Sequence, residues 1–346
     1  MTGPFIPQQP SLEDNWRGII LLGRNVASYK FALAKTLLEL KPVSGQLVKL
    51  EELAPVFAGH IAKHIQNSDK QGTSKTSKFL DGCRAYGRGE ISEHQLSELA
   101  VQYGFNNVID AFHVVGSGAV SHQFYVDERK TNKGIRITDE FSELLGNDQA
   151  ENLPKEVEAR WRLVETAWQL GMARRLITVH NEPDTHVLCV VDRNAKRTQV
   201  TSCRDALNGY QKGKCFYCCT NIRLDGPDEL RPDVDHFFPH VLKQPPFSFG
   251  SIIDGVWNLV LACRQCNRGQ GGKFHSVPTI RLLERLSTRN EWFISSHNPL
   301  RQTLIQQSGS STRERQEFLN TIHSEAWKVL IHTWEPQEED GSCFEQ

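Results

Sequence analysis

Two C-x-x-C motifs constrain this chain more than any other feature of its sequence. They are Cys215/Cys218 in "GKCFYC" and Cys263/Cys266 in "ACRQCN". Four thiolates arranged as two such pairs suit zinc, which prefers a closed tetrahedral sulfur shell in structural sites. Because 44 residues separate the pairs, against about 15–20 in a common zinc ribbon, further structure is inserted between them. Cys219 adjoins the first pair, and the spacing assigns Cys218 as the ligand and Cys219 as the spare.

Length and composition indicate the setting of this metal site. A chain of 346 residues is long enough for about two or three domains. The start "MTGPFIPQQP" lacks the basic and apolar blocks of a secretory signal, and no apolar run approaches the roughly 18 residues of a membrane helix. We therefore expect a cytoplasmic protein without membrane insertion, whose cysteines stay reduced. Only the two cysteine pairs are expected to bind metal.

The net charge of −1 hides a local asymmetry. Between Arg193 and Arg223 there are seven basic residues and one acid, Asp205. The last dozen residues hold five acids and no base. A basic centre of this kind is compatible with a polyanionic partner such as DNA.

Helical patterns dominate on both sides of the cysteine pairs. Apolar residues at helical spacing predict a helix over 16–40, and the segment "HQFYVDERKTNKGIRIT" predicts two strands around a turn. Helices followed by a hairpin resemble a winged helix-turn-helix, although many α+β domains have the same order. Further helices are predicted over 155–171, in "TIRLLERLSTRNEWFI" and from the cap Ser311 onward.

Polar residues that can hydrolyse a phosphodiester lie between and just after the cysteine pairs. They are Asp235-His236 in "VDHFFP", Asn258 in "VWNLVLAC" and Asn267 in "CNRGQGGK". This order resembles the HNH endonuclease pattern, in which C-x-x-C, D-H-x-x-P, N-L-x-x-L-C and x-x-C-N/H follow one another. It is also similar to the HNH domain of RNA-guided CRISPR nucleases. The flanks resemble those of HNH nucleases in bacterial anti-phage systems, including the effector of type II Zorya.

The resemblance implies an α+β fold, with mainly helical flanking domains around a small ββα-metal nuclease domain braced by zinc. It predicts four regions along the chain. They are a mostly helical N-terminal domain with a β-hairpin (1–150), a connecting helix and strand (151–203), the HNH nuclease domain (204–275), and C-terminal helices with an acidic tail (276–346).

Each motif residue has an expected role. His236 is expected to be the general base, because an imidazole with a pKa near about 6.5 can take a proton from water at neutral pH. Asp235 and Asn267 offer hard oxygen ligands for a catalytic Mg²⁺ or Mn²⁺. Asn258, the central N of the motif, is expected in the catalytic site, where its amide can hold the imidazole or the opposing backbone. Zinc on the cysteines is structural.

Three further side chains have alternative interpretations. Arg268 and Lys273 are predicted to contact the DNA backbone, with solvated surface as the alternative. His240 could be a second base or ligand, but an exposed histidine braced by proline is favoured. One conflict remains, because Asp235 and His236 point to opposite faces in a regular strand.

The residues therefore predict a metal-dependent DNA endonuclease or nickase, acting against foreign DNA beside protein partners of a defence system. One alternative is a zinc-braced module that binds DNA or assembles without catalysis. Another is an HNH toxin that cuts RNA. A purely structural zinc module has no need for the four motif residues in this order, which favours the enzyme.

Overall fold

A computed structural model describes most of the chain as two compact units, one from residues 8–171 and the other mainly from residues 172–346. The residues it describes are 11–22, 26–74, 76–115, 118–147, 149–169, 179–182, 187–191, 197–224, 231–244, 249–295 and 300–337. The helix expected in the connecting region 151–203 belongs to the first unit. Part of the predicted basic centre and most of the acidic tail lie outside the described residues.

The first unit combines helices with a small antiparallel sheet. Its elements are α1 (Leu12–Leu22), α2 (Tyr29–Leu40), β1 (Leu47–Lys49), α3 (Leu50–Asn67), α4 (Lys78–Gly87), α5 (Glu93–Leu99), α6 (Val108–Ala111), β2 (Val114–Val115), β3 (Gly118–Ala119), β4 (Tyr125–Glu128), α7 (Arg129–Asn132), β5 (Gly134–Ile137), α8 (Asp139–Gly146) and α9 (Leu153–Gln169). The predicted hairpin is confirmed, since β4 pairs with β5. β1 adds to the other side of β5.

The prediction of one helix over 16–40 is wrong, because this segment contains α1 and α2 with a break between them. The cause is backbone pairing with a distant loop. Ala27 forms an antiparallel bridge with Gly72, and the amide of Ser28 donates to the carbonyl of Gln71 over 3.0 Å. An amide that is used in this way is not available to continue a helix.

The core of the first unit is largely aromatic. Trp16 packs edge-on against Phe112 and Phe124, and the buried Arg17 pairs with Glu156 over 2.8 Å. At the hairpin turn, Arg129 pairs with two neighbouring carboxylates at 2.5 and 2.7 Å. These ion pairs neutralise the charge of Arg129 at the turn.

The second unit contains the motif residues. Its elements are β6 (Val179–Glu182), β7 (Val187–Val191), β8 (Arg197–Ser202), α10 (Cys203–Gln211), β9 (Asp233–His236), β10 (Leu259–Ala262), α11 (Arg264–Arg268), β11 (Val277–Pro278), α12 (Ile280–Ser295), α13 (Arg301–Ser308), α14 (Thr312–Leu330) and β12 (Thr333–Trp334). Mixed helix and strand content confirms the α+β class. Among the described residues, no helix has both the length and the apolar character needed to cross a membrane.

Two strands and a short helix position the motif. β9 pairs antiparallel with β10, with His236 opposite Leu259 and Asp233 opposite Ala262. Cys263 follows β10 directly and caps α11, since its sulfur accepts from the amide of Cys266 over 3.4 Å. The hairpin and α11 therefore bring both ends of the motif together.

Helix α12 fixes the segments on either side of this hairpin. The buried Arg285 donates from Nη1 to the carbonyls of Phe216 and Tyr217, both over 2.8 Å. One turn later, Arg289 donates to the carbonyl of Trp257 over 2.7 Å. Burial lowers the pKa of Arg289 to about 9. The helix thus anchors the first cysteine pair and the turn before β10.

Replacing Arg285 should destabilise the second unit. Arg285→Leu leaves two buried carbonyls without this donor, at a cost of about 1–3 kcal/mol each. Denaturant unfolding would measure the loss. Arg281→Leu on the same helix is the control, because it removes an exposed pair with Glu335 of about 0–1 kcal/mol. Equal stability of the two variants would contradict the anchoring role.

Candidate active site and metal centre

The four predicted cysteine ligands form one cluster. The sulfur atoms of Cys215, Cys218, Cys263 and Cys266 all lie within 4.8 Å of one another. The sulfurs of Cys218 and Cys263 are 3.7 Å apart. A tetrahedral ion with zinc–sulfur bonds of about 2.3 Å separates its sulfur ligands by about 3.8 Å. The cluster therefore has the donors and the spacing of a structural zinc site.

Local backbone turns hold these sulfurs in place. The amide of Cys263 donates to the sulfur of Cys215 over 3.3 Å, and Thr220 lies 3.1 Å from the sulfur of Cys218. Such hydrogen bonds stabilise thiolate ligands and fix their direction. The predicted spare, Cys219, is buried outside the cluster at a φ of 66°. It is disulfide-bonded, so the expectation that the cysteines stay reduced is wrong for this residue. Its amide donates to the carbonyl of Cys215 over 3.1 Å, which closes the turn of the first pair.

His236 lies at the end of β9, where the chain turns back on itself. After Pro239 a short 3₁₀ turn begins at His240, and the Nε2 atoms of His236 and His240 are 3.0 Å apart. His236 is 6% exposed, whereas the side chain of His240 is 47% exposed. His240 is exposed and follows Pro239, as the favoured interpretation predicts, and it also contacts the buried His236.

Asp254 completes this group, although no sequence pattern predicted it. Its Oδ1 lies 3.5 Å from Nε2 of His236 and 3.6 Å from Nε2 of His240. Its Oδ2 accepts from Lys243 over 2.6 Å. Asp254 stands in a loop with no motif spacing to the histidines, so only the fold reveals that the three side chains meet.

Asn258 is fully buried and clamps the segment after His236. Its Oδ1 accepts from the amide of Phe238 over 2.8 Å, and its Nδ2 donates to the carbonyl of the same residue over 3.0 Å. Nδ2 also donates to the carbonyl of Ile253 over 2.9 Å. The amide of Asn258 was predicted to hold either the imidazole or the opposing backbone, and the structure shows hydrogen bonds to the backbone. Asn258 thus positions the site from within the core.

Asp235 is buried beside an internal ammonium group. Its Oδ2 accepts from the hydroxyl of Tyr217 over 2.6 Å and lies 3.3 Å from Nζ of Lys273. Burial raises the pKa of the Asp235 carboxyl, while Lys273 and Tyr217 act in the opposite direction. Lys273 is 0% exposed, and its Nζ also donates to the carbonyl of His236 over 3.0 Å. The structure therefore does not place Lys273 on the DNA-facing surface that the sequence predicted.

Asn267 and Arg268 meet the strand through Asp233. Nδ2 of Asn267 donates to Oδ2 of Asp233 over 3.0 Å, and Arg268 holds the same carboxylate at 2.9 and 3.2 Å. Asp233 and Asp235 share one face of β9, because alternate residues of a strand point the same way. Asp235 and Asn267 therefore belong to one side of the hairpin, opposite to His236.

The side of the hairpin with Asp235 and Asn267 offers hard oxygen donors, which suit Mg²⁺ or Mn²⁺. Lys273 already balances the charge of Asp235, so a cation bound there would compete with the ammonium group. Arg268 is half exposed, and beside it Arg264 and Gln265 line an open depression at α11. This depression is where a polyanion could approach.

No protein-family model, no curated protein and no solved structure matches this chain significantly. The motif and the geometry of the site are therefore the basis for inferring a function.

The cysteine cluster makes a prediction about zinc content. Cys218→Ser should lose the tightly bound zinc and lower the folded yield, because a three-sulfur site cannot close the tetrahedral shell. Zinc per chain would be measured by atomic emission after dialysis against a weak chelator. Cys203→Ser, a buried cysteine outside the cluster, is the matched control and should keep its zinc. A well-folded Cys218→Ser protein with unchanged zinc would contradict the assignment.

Proposed function

We propose that this chain is a metal-dependent endonuclease of the HNH type, which hydrolyses phosphodiester bonds in DNA. One observation carries the proposal. The β9–β10 hairpin and α11 carry the motif residues in the expected order, with His236 at the strand end and Asn258 clamping the turn behind it. The cysteine cluster joins the segments on either side of the hairpin, as the resemblance implies.

Hydrolysis requires a base for the attacking water and a precise position for that base. His236 would take the proton from water. Its backbone is fixed from two sides, since its carbonyl accepts from Lys273 and the next amide, that of Phe237, donates to the carbonyl of Asn258 over 2.8 Å. A general base held in this way needs little reorganisation before it reacts.

Asp235 and Asn267 are the residues that would hold the catalytic cation. Because they lie on the opposite face of β9 from His236, one phosphate would meet the cation and the base at the end of the strand, which stops at His236. Bound Mg²⁺ or Mn²⁺ supplies positive charge to the phosphate and assists the departing oxygen. Lys273 balances the buried carboxylate of Asp235 when no cation is present. Arg268, anchored by Asp233, would present a fixed cation to the DNA backbone. The flanks support a further proposal, that the enzyme acts with partner proteins in defence against foreign DNA.

His236→Ala should abolish cleavage while leaving DNA binding intact. Loss of a general base typically costs about 10²–10⁴-fold in rate, and nicking of supercoiled plasmid with Mg²⁺ or Mn²⁺ would measure it. His94→Ala, which changes an 83% exposed side chain in the first unit, is the matched histidine control and should remain active, whereas loss of cleavage in identically purified His236→Ala excludes a contaminating nuclease. Wild-type protein that binds plasmid without nicking it would favour the non-catalytic module instead.

Arg268→Ala should weaken DNA binding across all sequences. Log affinity falls as log salt concentration rises, and a single phosphate contact contributes about one unit to the magnitude of that slope. The variant should therefore reduce the magnitude of the slope by about 1. Fluorescence anisotropy with labelled duplex at several salt concentrations would show it. Arg313→Ala, at an 87% exposed position on α14, is the control. Identical slopes for Arg268→Ala and wild type would exclude the contact.

A further inference from the structure

The side chains of His236, His240 and Asp254 converge on one point. The two Nε2 atoms are 3.0 Å apart, and Oδ1 of Asp254 lies 3.5 and 3.6 Å from them. The convergence arises because the chain reverses after β9 and the 3₁₀ turn over 250–254 returns beside the turn over 240–243. Residues from three separate segments thus share one small volume.

These separations are those of ligands around a single ion. Nitrogen and oxygen ligands lie about 2.0–2.2 Å from zinc. Two such ligands on one ion are therefore about 2.8–3.6 Å apart, for bond angles between octahedral and tetrahedral values. The separations observed here, 3.0 to 3.6 Å, agree with this range.

Without a cation, the group leaves polar atoms unsatisfied. Oδ1 of Asp254 is buried and has no hydrogen-bond partner among the described residues, although Lys243 fixes the other oxygen of this carboxylate. A single proton between the two imidazoles would satisfy only that pair. Two imidazole nitrogens and one carboxylate oxygen form a donor set for a first-row transition ion, whereas Mg²⁺ prefers oxygen ligands alone.

The geometry points to a second metal site, separate from the cysteine cluster, in which Nε2 of His236, Nε2 of His240 and Oδ1 of Asp254 bind one zinc-class ion. The half-exposed side of His240 leaves the remaining coordination positions open to water or phosphate. One consequence rests on the proposed function. A nitrogen lone pair bound to an ion cannot accept a proton, so an ion in this site would prevent His236 from acting as a general base. The activity of the enzyme would then be regulated by this metal.

Zinc binding to full-length protein tests the site without reference to cleavage. Equilibrium dialysis against zinc should give two ions per wild-type chain and one in Asp254→Asn and in His240→Ala. Affinity for the second ion should fall by more than the roughly 10- to 100-fold that loss of a supporting partner costs. His94→Ala should keep both ions. Melting temperature and the retained cysteine-bound zinc establish that the variants are folded.

X-ray absorption at the zinc edge supplies an independent measurement. Saturated wild type should show nitrogen and oxygen ligands at about 2.0–2.1 Å beside the sulfur shell at about 2.3 Å, and Asp254→Asn should show sulfur alone. Wild type that never exceeds one zinc, or folded variants that keep the second ion, would overturn the site. Two bound ions, in a protein that cleaves no DNA with Mg²⁺ even when it carries only the cysteine-bound zinc, would support the metal site while removing the nuclease proposal.

Discussion

The four-thiol cluster is the interaction on which the second unit depends. It joins the loop at Cys215 to the turn at Cys263, on either side of a hairpin whose strands have only four residues each. A hairpin of that size is marginal in water by itself. Gln211 reinforces the connection, since its side chain bonds both the amide and the carbonyl of Leu261 at 2.7 and 2.8 Å. Helix α12 then anchors the outer segments through buried arginines.

The β9–β10 hairpin carries a buried carboxylate on one face and the histidine group on the other. Asp235 faces Tyr217 and Lys273, whereas His236 faces His240 and Asp254. Lys273 connects the two faces, because one ammonium group contacts the carboxylate of Asp235 and the carbonyl of His236. A cation that displaces Lys273 would therefore also release one restraint on the histidine. Metal binding on one face and the position of the base on the other are physically coupled.

The parts of the site that depend on local residue spacing could be predicted from the sequence. The spacing of the two cysteine pairs predicted the cluster that the structure shows. The hydrogen bonds of Asn258 to the opposing backbone follow from the donor and acceptor of its amide. The features that depend on tertiary contacts could not be predicted from the sequence. The break before α2 depends on pairing with a loop more than forty residues away. The burial of Lys273 and the position of Asp254 beside the two histidines depend on how the loops pack, and no local sequence pattern predicts that packing.

The central claim is that this site uses water to break a phosphodiester bond. Its most direct test is cleavage of a defined DNA duplex in ¹⁸O-labelled water with Mg²⁺, followed by mass spectrometry of the new strand ends. Hydrolysis leaves one new end with a phosphate and one with a hydroxyl, and it inserts one labelled oxygen from water into the phosphate. We expect this label in the new terminal phosphates made by the wild-type protein. Intact duplex, or new terminal phosphates without the label, would contradict the account.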